Sequence, residues 1–132
     1  MDKIAFTYGE FDCLNKHHFH LIKEMRKIIL PDVFVNAVIA DDYPAFVNNG
    51  CFPIQDLQHR INNLSYLCKN IHVSYSANPS AVFQSMIDEA IKKGQKLVYV
   101  GYEDNKEFPG RELLKKHNIP VRFIKRYGTK EA

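Results

Sequence analysis

The chain has 132 residues, 45% of them hydrophobic and 25% charged, with a formal charge of +3 and a pI near 8.7. That length allows one domain, 1–132, with one sizeable core, and the composition excludes a disordered, collagen-like or coiled-coil chain. The mild basic excess suits a phosphorylated small molecule and falls short of the concentrated charge of a duplex DNA binder. Cys13, Cys51 and Cys68 are odd in number and widely spaced, which offers neither a disulfide framework nor a CxxC metal site and points to a reducing compartment. The amino terminus lacks the apolar run of a signal peptide, and no stretch approaches the ~20 apolar residues of a membrane span. The expected location is cytoplasmic.

Taken in chain order, Lys3 to Tyr8 is a short apolar run ended by Gly9, a buried first strand. From Lys16, the spacing of Phe19, Ile22, Met25 and Ile29 predicts a helix that Pro31 stops. Val33 to Ala40 is nearly all apolar, as expected of a strand covered on both faces. The segment Tyr43 to Pro53 has two prolines, a glycine and two asparagines without a sustained period, and reads as a long surface loop. Leu57, Ile61, Leu64 and Cys68 mark a second helix and Ile71 to Tyr75 a third strand. Asn78 as N-cap and Pro79 at the first helical position open a third helix. Its stripe is Val82, Phe83, Met86, Ile87, Ala90 and Ile91, and Gly94 closes it. Leu97 to Val100 is a fourth strand, Arg111 to His117 a helix, and Val121 to Ile124 a last strand. This alternation predicts an α/β fold, a Rossmann-like three-layer α/β/α sandwich on a mainly parallel five-stranded sheet. Ligands in such folds bind beyond the carboxyl ends of the strands. The loops to inspect are therefore Gly9 to His18, Asp41 to Pro53, Ser76 to Asn78, Gly101 to Gly110 and the tail after Ile124.

The first of these loops, within Thr7 to Glu24, holds a glycine, an aspartate and three histidines, His17, His18 and His20. It resembles the signature T-Y-G-T-F-D-x-x-H-x-G-H of the cytidylyltransferase branch of the nucleotidyltransferase superfamily, above all the glycerol-3-phosphate cytidylyltransferases. Thr7, Tyr8, Gly9, Phe11, Asp12 and His18 match without a gap. Asn15 stands at the first histidine and His17 at the glycine. His59-Arg60 is similar to the family's arginine step near the phosphates, and Val38 to Asp42 to its V-x-x-S-T-D segment, with Asp42 as the aspartate. The family's lysine in the next loop is missing. Gly101-Tyr102-Glu103 stands where the family has G-D-D-W, and Arg126-Tyr127-Gly128-Thr129 resembles the start of R-T-x-G-I-S-T.

The resemblance implies attack on the α-phosphorus of a nucleoside triphosphate, CTP above others, by a small phosphorylated alcohol of the glycerol-3-phosphate kind, with Mg²⁺ on the nucleotide and pyrophosphate as product. It assigns catalysis to His18, Asn15 and His17. Nucleotide contacts fall to Thr7, Tyr8, Gly9, Phe11, Asp12, Arg60, Arg126 and Thr129, and substrate contacts to Asp42 and His20. His18 carries the main expectation, as a donor to phosphate oxygens at a helix N-terminus. Asn15 can donate but carries no charge, and His17 puts a side chain where the triphosphate meets backbone. A homodimer is implied as well. Each choice has a structural counterpart: Asp12 as a turn cap, Arg60 as a surface helix charge, Asp42 as a strand-end residue, Arg126 as part of a solvated basic tail with Lys125 and Lys130. A zinc site on the three histidines is disfavoured because neighbouring histidines on a helix point apart. Two other functions compete with the enzyme. One is a nucleotide-binding or assembly protein on the same fold without turnover. The other is single-stranded nucleic acid binding through Lys115, Lys116, Arg122, Lys125, Arg126 and Lys130, which ranks last because aromatic residues are not interleaved there.

Overall fold

The computed structural model describes residues 3–28 and 33–128. In chain order the elements are β1 (Lys3–Gly9), α1 (Lys16–Ile28), β2 (Val33–Ala40), α2 (Asp42–Asn49), α3 (Leu57–Leu64), β3 (Asn70–Ser74), α4 (Ser80–Lys93), β4 (Lys96–Tyr102), α5 (Arg111–Lys116) and β5 (Val121–Ile124). The five strands lie in the order β3-β2-β1-β4-β5, and each pairing is parallel. The chain winds outward from β1 to β3, crosses back through α4, and winds the other way through β4 and β5. This is the three-layer α/β/α architecture.

Because successive strand residues point to opposite faces, each apolar strand feeds two cores. On one face Ala5, Val35, Ala37, Ile39, Val98 and Val100 meet Leu21, Ile22 and Met25 of α1 and Leu64 of α3. On the other, Ile4, Phe6, Val38, Leu97 and Tyr99 meet Phe83, Met86, Ile87 and Ala90 of α4 and Leu114 of α5. Full burial of each such side chain contributes about 1.5–3 kcal/mol. The strand reversal lies between β1 and β4, so the crevice there opens at Gly9 and Tyr102.

Four local expectations need correction. Pro79, and not Asn78, is the N-cap of α4, which starts at Ser80; Asn78 Oδ1 accepts the Ser80 N–H from one residue further out. The segment after β2 is not a loop, since Asp42–Asn49 is helical. Asp41 caps it by accepting the Asp42 N–H at 2.8 Å, Pro44 sits in the first turn where no intrahelical N–H is required, and Gly50 ends it at φ +81°. The residues that looked like loop punctuation are a short helix's caps. In α1 the sheet-facing stripe runs through His18, Leu21, Ile22 and Met25, which leaves Phe19 half exposed. In α4, Ile91 falls off the buried stripe and is 73% exposed. Ile29 and Pro31, read as the end of the first helix, lie outside the described residues.

Gly110, just before α5, has φ +90°, and a Cβ there would sit 2.6 Å from the ring of the fully buried Phe83. Gly110→Ala is therefore expected to destabilise the fold by about 2–4 kcal/mol, from backbone strain and overpacking together. Urea unfolding of the variant beside wild type measures this.

Candidate functional site

The carboxyl ends of β1 and β4 form the floor of a cleft. A pocket of about 180 Å³ is lined by residues that include Thr7, Gly9, Phe11, His18, Tyr102 and Arg126. A second space of about 360 Å³ continues toward α2 and is lined by Asn48, Asn49, Ala40 and Pro109 among others. Tyr8, Gly9, Glu10, Tyr99, Asn105 and Phe108 belong to both. The flagged loops after β1, β2 and β4 and the tail after β5 all contribute.

His18 owes its place to the core. It lies at the N-terminal end of the stripe that buries Leu21, Ile22 and Met25, so its ring is carried over the sheet end and packs 5.9 Å from Phe11. The backbone N–H of Asn15 donates to His18 Nδ1 at 3.1 Å. Nδ1 is then an acceptor, and the proton of the neutral imidazole resides on Nε2. Burial lowers the His18 pKa, and the neighbouring His17 pushes the same way against the carboxylate of Asp12. The sheet end therefore carries a neutral imidazole with one oriented N–H donor.

Asn15 does a different job from the one its alignment suggests. Its Oδ1 accepts the His17 N–H at 2.9 Å while its own N–H goes to His18. This is a reciprocal cap in which His18 takes the role usually held by a glutamate three residues after the cap. Asn15 is exposed and does not line the cleft. His17 lines the cleft beside His18, its ring edge-on to Tyr127 at 5.7 Å. His20 is not in the cleft: its Nε2 lies 3.2 Å from the Lys125 carbonyl oxygen and its ring 5.8 Å from Tyr127. The three histidines diverge, and among the described residues no group of three His, Cys, Asp or Glu could hold a metal ion.

Asp12 and Arg60 lie beneath the site and do not line it. Asp12 accepts the N–H groups of Ile54 at 2.7 Å and Gln55 at 2.9 Å, clasping the first loop to the approach to α3. Burial acts to raise its pKa, but these donors outweigh it and hold the carboxyl below its ordinary value. A depressed carboxyl contributes stability that is present above the unfolded value of about 3.9 and lost as pH falls through the folded one. Urea midpoints followed from neutral pH into acid should show this loss below about pH 4 in wild type and lack that component in Asp12→Asn. The two left-handed residues beside it, Phe11 at φ 52° and Cys13 at φ 47°, mark the same turn as strained.

Arg60 is fully buried, contrary to either sequence reading of it. Its guanidinium donates to the carbonyls of Gln55, Glu10 and Ala40 and to Asp42 Oδ1, at 3.1, 2.8, 2.7 and 2.6 Å. Asp42 is thus an ion-pair partner at the start of α2, outside the cleft. Arg126 does reach the cleft. Its Nε donates to Asp104 at 2.6 Å and its guanidinium lies 4.0 Å over the Tyr102 ring, an ordered pose in place of a solvated tail. Thr129, at the end of the same segment, lies outside the described residues.

Most of the remaining lining residues carry no motif signal. Phe108 stacks on Tyr99 at 4.1 Å and 11°, an aromatic wall beside Asn105. Tyr8 Oη accepts from Asn48 at 3.0 Å, and Asn49 donates to Glu10 at 3.0 Å. Among the described residues Glu10 is the one carboxylate lining both spaces, with a pKa raised by burial and by Asp12. Apart from Tyr8, which the motif match includes, these residues were legible only as members of strands or of the segments that follow them.

Gly9 has ordinary extended backbone, and a Cβ there would touch the Phe11 ring at 3.4 Å, within van der Waals contact. Packing therefore does not demand a glycine here. Gly9→Ala is expected to keep its stability within about 1 kcal/mol of wild type and to lose ligand affinity by about tenfold or more. Thermal melts and nucleotide titration of the one variant separate the two effects.

No protein-family model matches the chain, and no curated protein matches it. Among solved structures it is similar to the lipopolysaccharide core biosynthesis protein from Thermoplasma volcanium GSS1. That likeness has a TM-score of 0.65 at 23% identity and covers 94% of this chain and 97% of the other. It establishes the fold. Among the described residues no helix is long and apolar enough to cross a membrane.

Proposed function

We propose that the protein is a nucleotidyltransferase that binds CTP with Mg²⁺ in this cleft and transfers the cytidylyl group to a small phosphorylated alcohol. The observation that carries the reading is the oriented, neutral His18, whose Nδ1 is engaged by the Asn15 N–H so that Nε2–H, without a partner among the described residues, is the donor left at the start of α1. A phosphate oxygen held there gains a fixed hydrogen bond and the favourable end of the helix dipole. The terminal nitrogens of Arg126 have no partner among the described residues, which leaves them for a second phosphate. Phe108 and Tyr99, buried and stacked on each other, give a base an apolar edge to lie against, and Asn105 carries both a donor and an acceptor for its polar edge.

Mg²⁺ would arrive on the triphosphate and keep mostly water and phosphate oxygens as ligands. Glu10 is the cleft carboxylate suited to meet it, and a single carboxylate fits that coordination habit. The metal supplies charge neutralisation on the phosphates. In the reaction an acceptor phosphate oxygen forms a bond to the α-phosphorus. The bond from that phosphorus to the bridging oxygen breaks, and pyrophosphate leaves with the electron pair. His18 and Arg126 stabilise charge on the non-bridging oxygens, and no proton need be taken from the acceptor. The structural neighbour's name, with its reference to core biosynthesis, supports a small-molecule biosynthetic role.

The capping role of Asn15 favours a second reading, a nucleotide-binding protein without turnover, because a second catalytic donor is then missing from the turn. Pyrophosphate release from Mg·CTP tested against glycerol 3-phosphate and other polyol or sugar phosphates decides between them. Acceptor-dependent release supports the enzyme. CTP binding with no release by any acceptor supports the second reading.

A further inference from the structure

At the opposite end of the sheet, between α4 and the amino-terminal halves of β1, β2 and β3, lies a groove of about 430 Å³ that shares no residue with the cleft. It exists because α4 and α5 pack over β1, β4 and β5 and leave the same face of β2 and β3 less covered. Its floor contains Asn36, the one polar residue in the run VFVNAVIA. Asn36 is only 4% exposed, and its Oδ1 is buried without a hydrogen-bond partner among the described residues. On one side its register partner is the buried Phe6 and on the other Asn70. A buried unpaired amide oxygen costs about 1–3 kcal/mol, and a valine would continue the strand without that cost.

Among the described residues none donates to Asn36 Oδ1, which leaves this oxygen to a donor that enters the groove. The walls suit a hydroxylated molecule. Asn70 and the Ser85 hydroxyl offer further hydrogen-bonding groups, and His72 adds an imidazole whose pKa burial lowers, keeping it neutral. The mouth is cationic on balance. Lys93 pairs with Glu89 at 2.9 Å, while Lys69 lies 3.5 Å from the centre of the Phe34 ring and has no carboxylate partner among the described residues. We infer that the groove is a second ligand site, for a small hydroxylated anion of the sugar-phosphate class, with a ligand hydroxyl donating to Asn36 Oδ1 and the anionic group held at Lys69.

The test uses the full chain, labelled for amide NMR and titrated with ribose 5-phosphate, ribose and inorganic phosphate. Ribose 5-phosphate is expected to shift the Asn36 side-chain amide and the backbone amides of residues 70–72 saturably and to bind more tightly than either fragment. Asn36→Val is expected to melt at a higher temperature yet lose about tenfold or more in affinity. That combination separates a ligand site from a merely structural asparagine. Should that variant not fold, Lys69→Gln on the surface serves: it should weaken ribose 5-phosphate, leave ribose unaffected and leave CTP titration of the cleft unchanged. No shift at Asn36 up to millimolar ribose 5-phosphate would overturn the inference. So would equal binding of ribose or of phosphate alone, and so would ligand-independent protection of the groove that disappears on dilution, which would make it a contact between copies.

Discussion

Replacing Arg60 with methionine is expected to lower stability by about 3–5 kcal/mol. The guanidinium is fully buried, and its four hydrogen bonds reach three segments: the first loop at Glu10, the end of β2 at Ala40 with Asp42 beside it, and the approach to α3 at Gln55. Methionine fills much of the volume but leaves three carbonyl oxygens without their donor. The Asp42 carboxylate is 43% exposed and can return to water, so the cost falls mainly on those carbonyls. Lysine should not rescue the loss, since a single ammonium cannot reproduce a planar fork spread over four acceptors. Urea unfolding of Arg60→Met and Arg60→Lys measures both. Similar large losses are expected, whereas a loss below about 1 kcal/mol would return Arg60 to the class of surface charges.

His18→Ala is expected to reduce turnover by about 10²–10³-fold, the scale of removing one oriented donor from a developing oxyanion. It also removes the acceptor for the Asn15 N–H, so part of the effect would be fraying of the first turn of α1. The pH dependence separates these parts. Burial and His17 depress the His18 pKa, so the imidazole stays neutral through neutral pH, and binding should be flat there. Protonation would place a second N–H on Nδ1, facing the Asn15 N–H, and break the cap. The stability contributed by neutral His18 is present above the unfolded histidine value of about 6.5 and is lost as pH falls through the lower folded value. Nucleotide affinity should therefore decline only in acid. An unchanged affinity in His18→Ala, or a profile centred at the ordinary histidine value, would remove His18 from the site.

The strands were legible because parallel strands covered on both faces must be almost wholly apolar, and LVYV or VFVNAVIA admit few other readings. The short helix α2 was hidden for the opposite reason. Proline in the first turn and glycine after the last are features of both loops and helix ends, and eight residues give too little period to separate them. His18 was legible as one residue of a motif. The roles of Asn15, Asp12 and Arg60 were not, since each side chain bonds to backbone groups that the sequence does not place in space. Asn15 holds a neighbour in its own turn, whereas Asp12 and Arg60 act across 42 to 50 residues. Phe108 and Asn105 belong to a loop that topology marks as ligand-bearing, but only the fold shows Phe108 lying flat on Tyr99.

The proposed function places a nucleoside triphosphate against His18 in the cleft at the ends of β1 and β4. Titration calorimetry of the wild-type protein and His18→Ala with Mg·CTP, and with the other three triphosphates as controls, tests it directly. Expected is saturable binding of one CTP per chain, preferred over the other triphosphates and weakened by about tenfold or more in the variant. No binding of any triphosphate, or equal affinity in the two proteins, would contradict it.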